Sequence, residues 1–323
     1  MMKQNLKKTI IFSLLIAGTA FARTDDFIAY DVNECRFMLY DCKLSKPVEK
    51  AIVFGVSMIM DTYRDTFGFN IPKHFKINVT IICGKDKFLK YQQEQIGKIV
   101  SDRGYFCCSA TPYGQLYQTV VLLNKYPEES KNSKAIQEMV SIVFHESSHM
   151  ILEFQISSTP DWINEGLAEY FEGFNVFGPN KRVYLERNGQ NWCKYWAKKG
   201  FPVELDKLLN MSNEEFHNLD RIDGVPSYTM SYSLVYFMMS SPQTEKVLKE
   251  ILWDIRNSSR TGKVDSIKII DENYRGGFKN FERQWKAWIP NAREYRPLRA
   301  FRNHLEETRS SVSPNDVNTI VQP

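Results

Sequence analysis

The sequence predicts an α+β protein: a small mixed β-sheet packed on one long helix, followed by a mostly helical C-terminal subdomain. Three observations lead there. The runs that read as strands, Ile77–Ile82, Gly104–Cys108 and Thr119–Leu123, all fall in the first half of the chain. Apolar residues recur every three or four positions across 46–67 and again from Ile136, which is helical spacing. Beyond Phe174 the clearest segments, Tyr228–Met239 and Thr244–Asn257, are helical as well.

The chain begins with a segment of another kind. Lys3, Lys7 and Lys8 precede an uncharged run from Thr9 to Ala22 that closes on Ala20-Phe21-Ala22. A basic flank, a short apolar stretch and a small-x-small end are the anatomy of a secretory signal. Residues 1–22 are therefore expected to be cleaved and the remainder exported, to a periplasm or the exterior. The run is shorter than the roughly 20 residues that cross a bilayer core, so no membrane span is expected after cleavage. The 323 residues are 43% hydrophobic and 25% charged, which excludes a disordered, collagenous or polytopic membrane protein. A net charge of +4 is too weak to imply nucleic acid as a partner, and most of it leaves with the three signal lysines.

Residues 23–45 read as an irregular N-terminal segment, 46–155 as an α/β lobe, 156–309 as a helical lobe and 310–323 as a flexible polar tail. In the α/β lobe a helix from Lys46 to Phe67 ends at Gly68, and a second covers Asp86 to Val100. Thr111-Pro112-Tyr113-Gly114 supplies turn chemistry between two strands. Pro127–Ser133 is a polar loop, with Asn132 or Ser133 the candidate cap of the next helix. The helical lobe opens at Thr159-Pro160, a cap followed by proline at the first helical position, and turns Ile163, Leu167, Tyr170 and Phe171 inward. Six cysteines in an exported chain suggest disulfides. Cys35 with Cys42 would close a short loop, and Cys83 with Cys107 or Cys108 would join two strands; fifteen full pairings exist and spacing does not choose among them.

Only five histidines occur, and two of them form His145-Glu146-Ser147-Ser148-His149. Composition alone gives roughly 0.005 such strings per chain. The string lies on a strongly periodic helix, the context it needs. Residues four apart are about 40° apart around a helix and about 6 Å along it, so two imidazoles converge on one cation. Glu146 projects about 100° away from His145 and sits beside the ion rather than on it, placed to take a proton from water. A catalytic zinc needs a third protein ligand and an open position. Leu152 and Gln155 occupy the places where HExxHxxGxxH requires Gly and His. Glu165, sixteen positions after His149, is the natural third ligand, and Glu169 lies one turn on, where it can hydrogen-bond a ligand imidazole.

The string Trp162-Ile163-Asn164-Glu165-Gly166-Leu167-Ala168-Glu169-Tyr170, together with the His145–His149 motif, resembles the gluzincin metallopeptidases, in particular the peptidase MA-like families, over roughly residues 46–250. Asn164-Glu165-x-x-Ala168-Glu169 is similar to the thermolysin-type Asn-Glu-x-x-Ala-Asp string, with Glu169 in place of the aspartate. The resemblance implies one catalytic Zn2+, hydrolysis of a peptide or protein substrate, and a β-edge strand above the active-site helix, either Thr119–Leu123 or its hairpin partner. An extended substrate would add to that edge as another strand. Ser227 to Val235 resembles the helix that carries the transition-state tyrosine in gluzincin aminopeptidases. On that match Tyr228 donates to the oxyanion, a role worth roughly 3 kcal/mol, with Tyr232 the substitute. The Gly-x-Met-Glu-Asn string of those aminopeptidases is absent, which favours an endopeptidase. The expectation is thus an exported zinc peptidase with His145, His149 and Glu165 as ligands, Glu146 as general base, Glu169 behind a ligand and Tyr228 on the oxyanion. Its competitors are a zinc-containing binding domain without turnover and a zinc hydrolase of a non-peptide amide or ester. His74, His217 and His304 stand alone and read as structural.

Overall fold

In the computed structural model the chain is described over residues 23–24, 27–111, 114–123, 134–156, 158–177, 182–184, 187–258, 264–293 and 295–297. The expected signal segment, the candidate caps Asn132 and Ser133 and the polar tail lie outside these residues. The architecture is α+β, as expected. A mixed sheet of six strands has the spatial order β1-β2-β3-β4-β6-β5. Its strands are β1 (Arg23–Thr24), β2 (Phe27–Val32), β3 (Cys35–Tyr40), β4 (Ile77–Cys83), β5 (Gly104–Thr111) and β6 (Gly114–Leu123). β4 is parallel to both β3 and β6, and the other pairs are antiparallel.

The β-branched run Ile77–Ile82 explains the centre of the sheet, since β4 is buried along its whole length. Side chains alternate between two faces. Val79, Ile81, Val121 and Leu123 face the main core with α1 (Lys46–Asp61) and α3 (Lys134–Gln155). Ile82, Val120 and Leu122 face a smaller cluster under α2 (Lys85–Ile96), with Phe88 and Tyr105. α1 runs into a single π-helical turn, Thr62–Thr66, before Gly68 takes a positive φ of 75°. α1 also presses closely on α3: a Cβ on Gly55 would fall 2.1 Å from the Phe144 ring. Only glycine admits that approach, which seats α3 one residue before His145.

Residues 23–45 are a correction. Their expected irregularity gives way to β2 and β3, which form a hairpin with positive-φ Asn33 at its turn. The alternation in Cys35-Arg36-Phe37-Met38-Leu39 is weak because Met38 and Leu39 are both buried, so a period of two does not stand out. The cysteine pairing also differs from either expectation. Cys42 bonds Cys83. The parallel register sets Tyr40 opposite Ile82, which brings Cys83, the last residue of β4, alongside Cys42, two residues past the end of β3. Cys35, Cys107, Cys108 and Cys193 are not in disulfides.

The second half is helical with a small sheet added. α4 (Asp161–Glu172) starts one residue later than expected, because Pro160 stands at the cap instead of inside the helix. Ile163, Leu167, Tyr170 and Phe171 are buried as expected. There follow α5 (Arg187–Lys199), α6 (Leu205–Asn210), α7 (Asn213–Asn218), α8 (Pro226–Met238), α9 (Pro242–Ser258), α10 (Ser266–Asn273) and α11 (Gly277–Trp288). Short strands β7 (Phe174–Asn175), β8 (Arg182–Tyr184) and β9 (Tyr295–Pro297) form a three-stranded antiparallel sheet. One hydrophobic cluster is continuous from β3 to α11. Among the described residues no helix is long and apolar enough to cross a membrane.

Candidate metal centre

The site is made by two packed helices. α3 buries Met139, Val140, Val143, Phe144, Ser147, Ser148 and Ile151, which leaves His145 and His149 on the opposite stripe, half-buried. Inside the core the Tyr63 hydroxyl and the Ser148 hydroxyl lie 3.0 Å apart, tying the π turn to the motif helix. α4 buries Trp162, Ile163, Leu167 and Phe171 and turns Asn164, Glu165, Glu169 and Glu172 toward the cleft.

The structure brings His145, His149 and Glu165 together, and this set could hold a metal ion. The two Nε2 atoms are 3.1 Å apart, and each is 3.6 Å from Glu165 Oε2. A tetrahedral ion with ligands at about 2.0–2.1 Å needs donors about 3.3–3.4 Å apart, which this triangle brackets. The hydrogen bonds on the far side of the rings agree. His149 Nδ1 lies 2.9 Å from Asn164 Oδ1, an acceptor, so Nδ1 carries the proton and donates it. His145 Nδ1 lies 2.9 Å from Glu172 Oε2 and donates in the same way. In these tautomers both Nε2 atoms turn lone pairs toward one point, an arrangement that a cation between them satisfies.

Electrostatics point the same way. Burial works against a charged His145, but the carboxylates of Glu165 and Glu172, which face its ring as acceptors, outweigh it and hold its pKa well above the ordinary imidazole value. Burial works against both carboxylates too, yet the neighbouring His145 ring leaves Glu165 and Glu172 below the usual range. The centre is thus built to hold positive charge. Glu146 is buried beside it, and that burial raises its pKa although His145 and His149 act in the opposite direction.

Glu169, expected to support a ligand ring, stands in the cleft with a carboxylate oxygen within 4.8 Å of a His145 ring nitrogen and of Glu172. The imidazole Nδ1 atoms, however, are engaged by Glu172 and Asn164. Sequence reasoning named neither of these as a partner. Glu172 was detectable only as the third member of a 165–169–172 stripe.

The centre opens into a cleft of about 1200 Å³. β5 forms one wall, which makes the hairpin partner of Thr119–Leu123 the edge strand of the sheet. α5 and α8 form the opposite wall, and both Tyr228 and Tyr232 line it. Tyr232 is buried, whereas Tyr228 is half-buried with its ring 5.6 Å from Phe216 and 6.3 Å from His217. His217 therefore stands behind Tyr228, close enough for its charge to help lower Glu165.

Residues 139–262 match the model of a family described as a protein of unknown function, DUF1570, a stretch that includes the His145–His149 part of α3 and all of α4 and α8. A crystal structure of an aminopeptidase N family protein from Idiomarina loihiensis is similar at 12% identity with a TM-score of 0.43, over 80% of this chain and 46% of that one. The chain thus spans less than half of that protein's length. No curated protein matches the chain.

Proposed function

We propose that this chain is an exported zinc peptidase, most simply an endopeptidase, acting on extended peptides laid along β5. The observation that carries the reading is the triangle of His145, His149 and Glu165 with a buried carboxylate, Glu146, beside it in an open cleft. Zinc suits two neutral imidazoles, one carboxylate and a vacant fourth direction. Bound there, the ion supplies Lewis acidity toward a carbonyl oxygen and acidifies water.

The chain's own groups do the rest. Glu172 and Asn164 hold the two rings in the tautomers that leave Nε2 free. Glu146 accepts the proton of the attacking water and returns it to the leaving amine, and its burial brings its pKa upward, toward the range where it can do both. Tyr228, the more exposed of the two cleft tyrosines, donates to the oxyanion. Glu169 adds a further carboxylate beside His145. The Cys42–Cys83 bond supports export, since such bonds persist in oxidising compartments.

The test is Glu146→Gln against wild type, with metal analysis and digestion of a proteome-derived peptide mixture, with and without chelator. Zinc near one per chain in both proteins, with hydrolysis lowered by orders of magnitude in the variant, is the expected result. Hydrolysis retained by Glu146→Gln, or unaffected by chelation, would overturn the assignment. Zinc without cleavage in wild type would favour a binding domain or a hydrolase of another amide or ester.

A further inference from the structure

α3 continues past the centre. The stripe that presents His145 and His149 presents Glu153 one turn further on, about 6 Å beyond His149 along the helix. Glu153 lines the same cleft and is exposed. Among the described residues its carboxylate has no hydrogen bond or ion pair.

The cleft is electrically polarised along its length. β5 runs in the same direction as α3: at its start Gly104 meets the Ile142 side chain, and further on Cys108 lies near Glu153, its thiol raised by burial and then by that carboxylate's charge. Among the described residues Arg103 is the one lysine or arginine in the lining, and it stands at the Gly104 end, where its charge acts on Glu172. Glu153 is at the other end with no cation to meet it. Five glutamates line the cleft against that single arginine. Such a surface draws in cationic partners and orients them.

We infer that Glu153 is a specificity-determining residue that pairs with a Lys or Arg side chain of the bound peptide. Strand rise is about 3.3 Å per residue, so the basic residue sits about two positions from the bond lying over the His145–His149–Glu165 centre. This deepens the peptidase reading and rests on it for the identity of the ligand. A pair in a half-open cleft changes affinity by about three- to tenfold and weakens as salt is raised.

The probes are short fluorescent peptides of one sequence, with Lys, Gln or Glu scanned through the central positions. They are bound to zinc-loaded Glu146→Gln, so that affinity is read without turnover. The Lys peptide is expected to bind about three- to tenfold more tightly than the Glu peptide at one position. The preference should vanish in Glu146→Gln/Glu153→Gln and invert in Glu146→Gln/Glu153→Lys. Equal binding of the three peptides, including no binding, or a Lys preference that survives Glu153→Gln, overturns the inference. Digestion of the same peptides by wild type separates the two readings. A Glu153-dependent preference without cleavage removes the peptidase and keeps the selectivity; cleavage without the preference does the reverse.

Discussion

Gly166 offers a sharp test of how the metal centre is positioned. It follows Glu165 on α4, where that helix crosses α8. A Cβ there would lie 2.7 Å from Val235 Cγ2 and 2.8 Å from the Ser231 carbonyl oxygen. Non-bonded atoms settle near 3.5 Å, so Gly166→Ala requires about 0.7 Å of separation, and one of the two obstacles is backbone. Overpacking of this kind costs about 1–3 kcal/mol. Alanine in mid-helix recovers about 0.8–1.0 kcal/mol relative to glycine. The net change therefore lies between about zero and 2 kcal/mol, destabilising. At about 2–4 °C per kcal/mol, the fall in Tm lies between zero and about 8 °C. The larger effect falls on the site, because Glu165 is displaced relative to two histidines fixed on a different helix. Zinc affinity should drop at least about tenfold, and activity by about 10- to 100-fold. Chelator competition and scanning calorimetry on wild type, Gly166→Ala and Gly166→Ala/Val235→Ala check this. The double variant removes one obstacle and leaves the carbonyl, so it should recover only part of the loss. A raised Tm with unchanged zinc affinity, the outcome of helix propensity acting alone, would refute the argument that the α4–α8 approach sets the position of Glu165.

Other perturbations follow from the same geometry. Glu172→Gln and Asn164→Ala should each loosen zinc by about 10- to 100-fold in chelator competition, because each partner fixes a ligand ring; unchanged affinity would remove that partner from the site. The Cys42–Cys83 bond spans 41 residues of sequence, a loop whose closure contributes about 3–4 kcal/mol, so Cys42→Ala should unfold at clearly lower denaturant than oxidised wild type. Burial, then the charges of Cys108 and Glu146, raise the Cys107 thiol to about 11. A raised thiol pKa means less thiolate at a given pH, so iodoacetamide at pH 8 should label exposed Cys108 well before Cys107. Labelling of Cys107 should then rise about tenfold per pH unit until that pKa is reached; equal rates at pH 8 would contradict the half-buried placement of Cys107.

Much of this was legible in the order of the residues, and the exceptions share a cause. The strands β4 and β6 and the helices α1, α3, α8 and α9 could be read because each is longer than its pattern's period and amphipathic or uniformly apolar. The β2–β3 hairpin is hard to read because Met38 is buried on the face opposite Phe37 and Leu39, which weakens the alternation along β3. The convergence of His145 and His149 is a property of one helix and needs only its pitch. Which carboxylate supports His145 is a property of two helices. His149 meets Asn164 and His145 meets Glu172, so positions rise along α4 as they fall along α3, and the two helices are antiparallel at the site. Stepping back one turn on α3 therefore means stepping toward the C-terminal end of α4. The Nδ1 of His145 also points away from the centre, which adds a further displacement in the same direction. The partner then falls about two turns past Glu165 rather than one, at Glu172, which shares the phase of Glu165 to within about 20° while Glu169 departs by about 40°. One-turn reasoning selects Glu169, and only the packing of α3 against α4 selects Glu172.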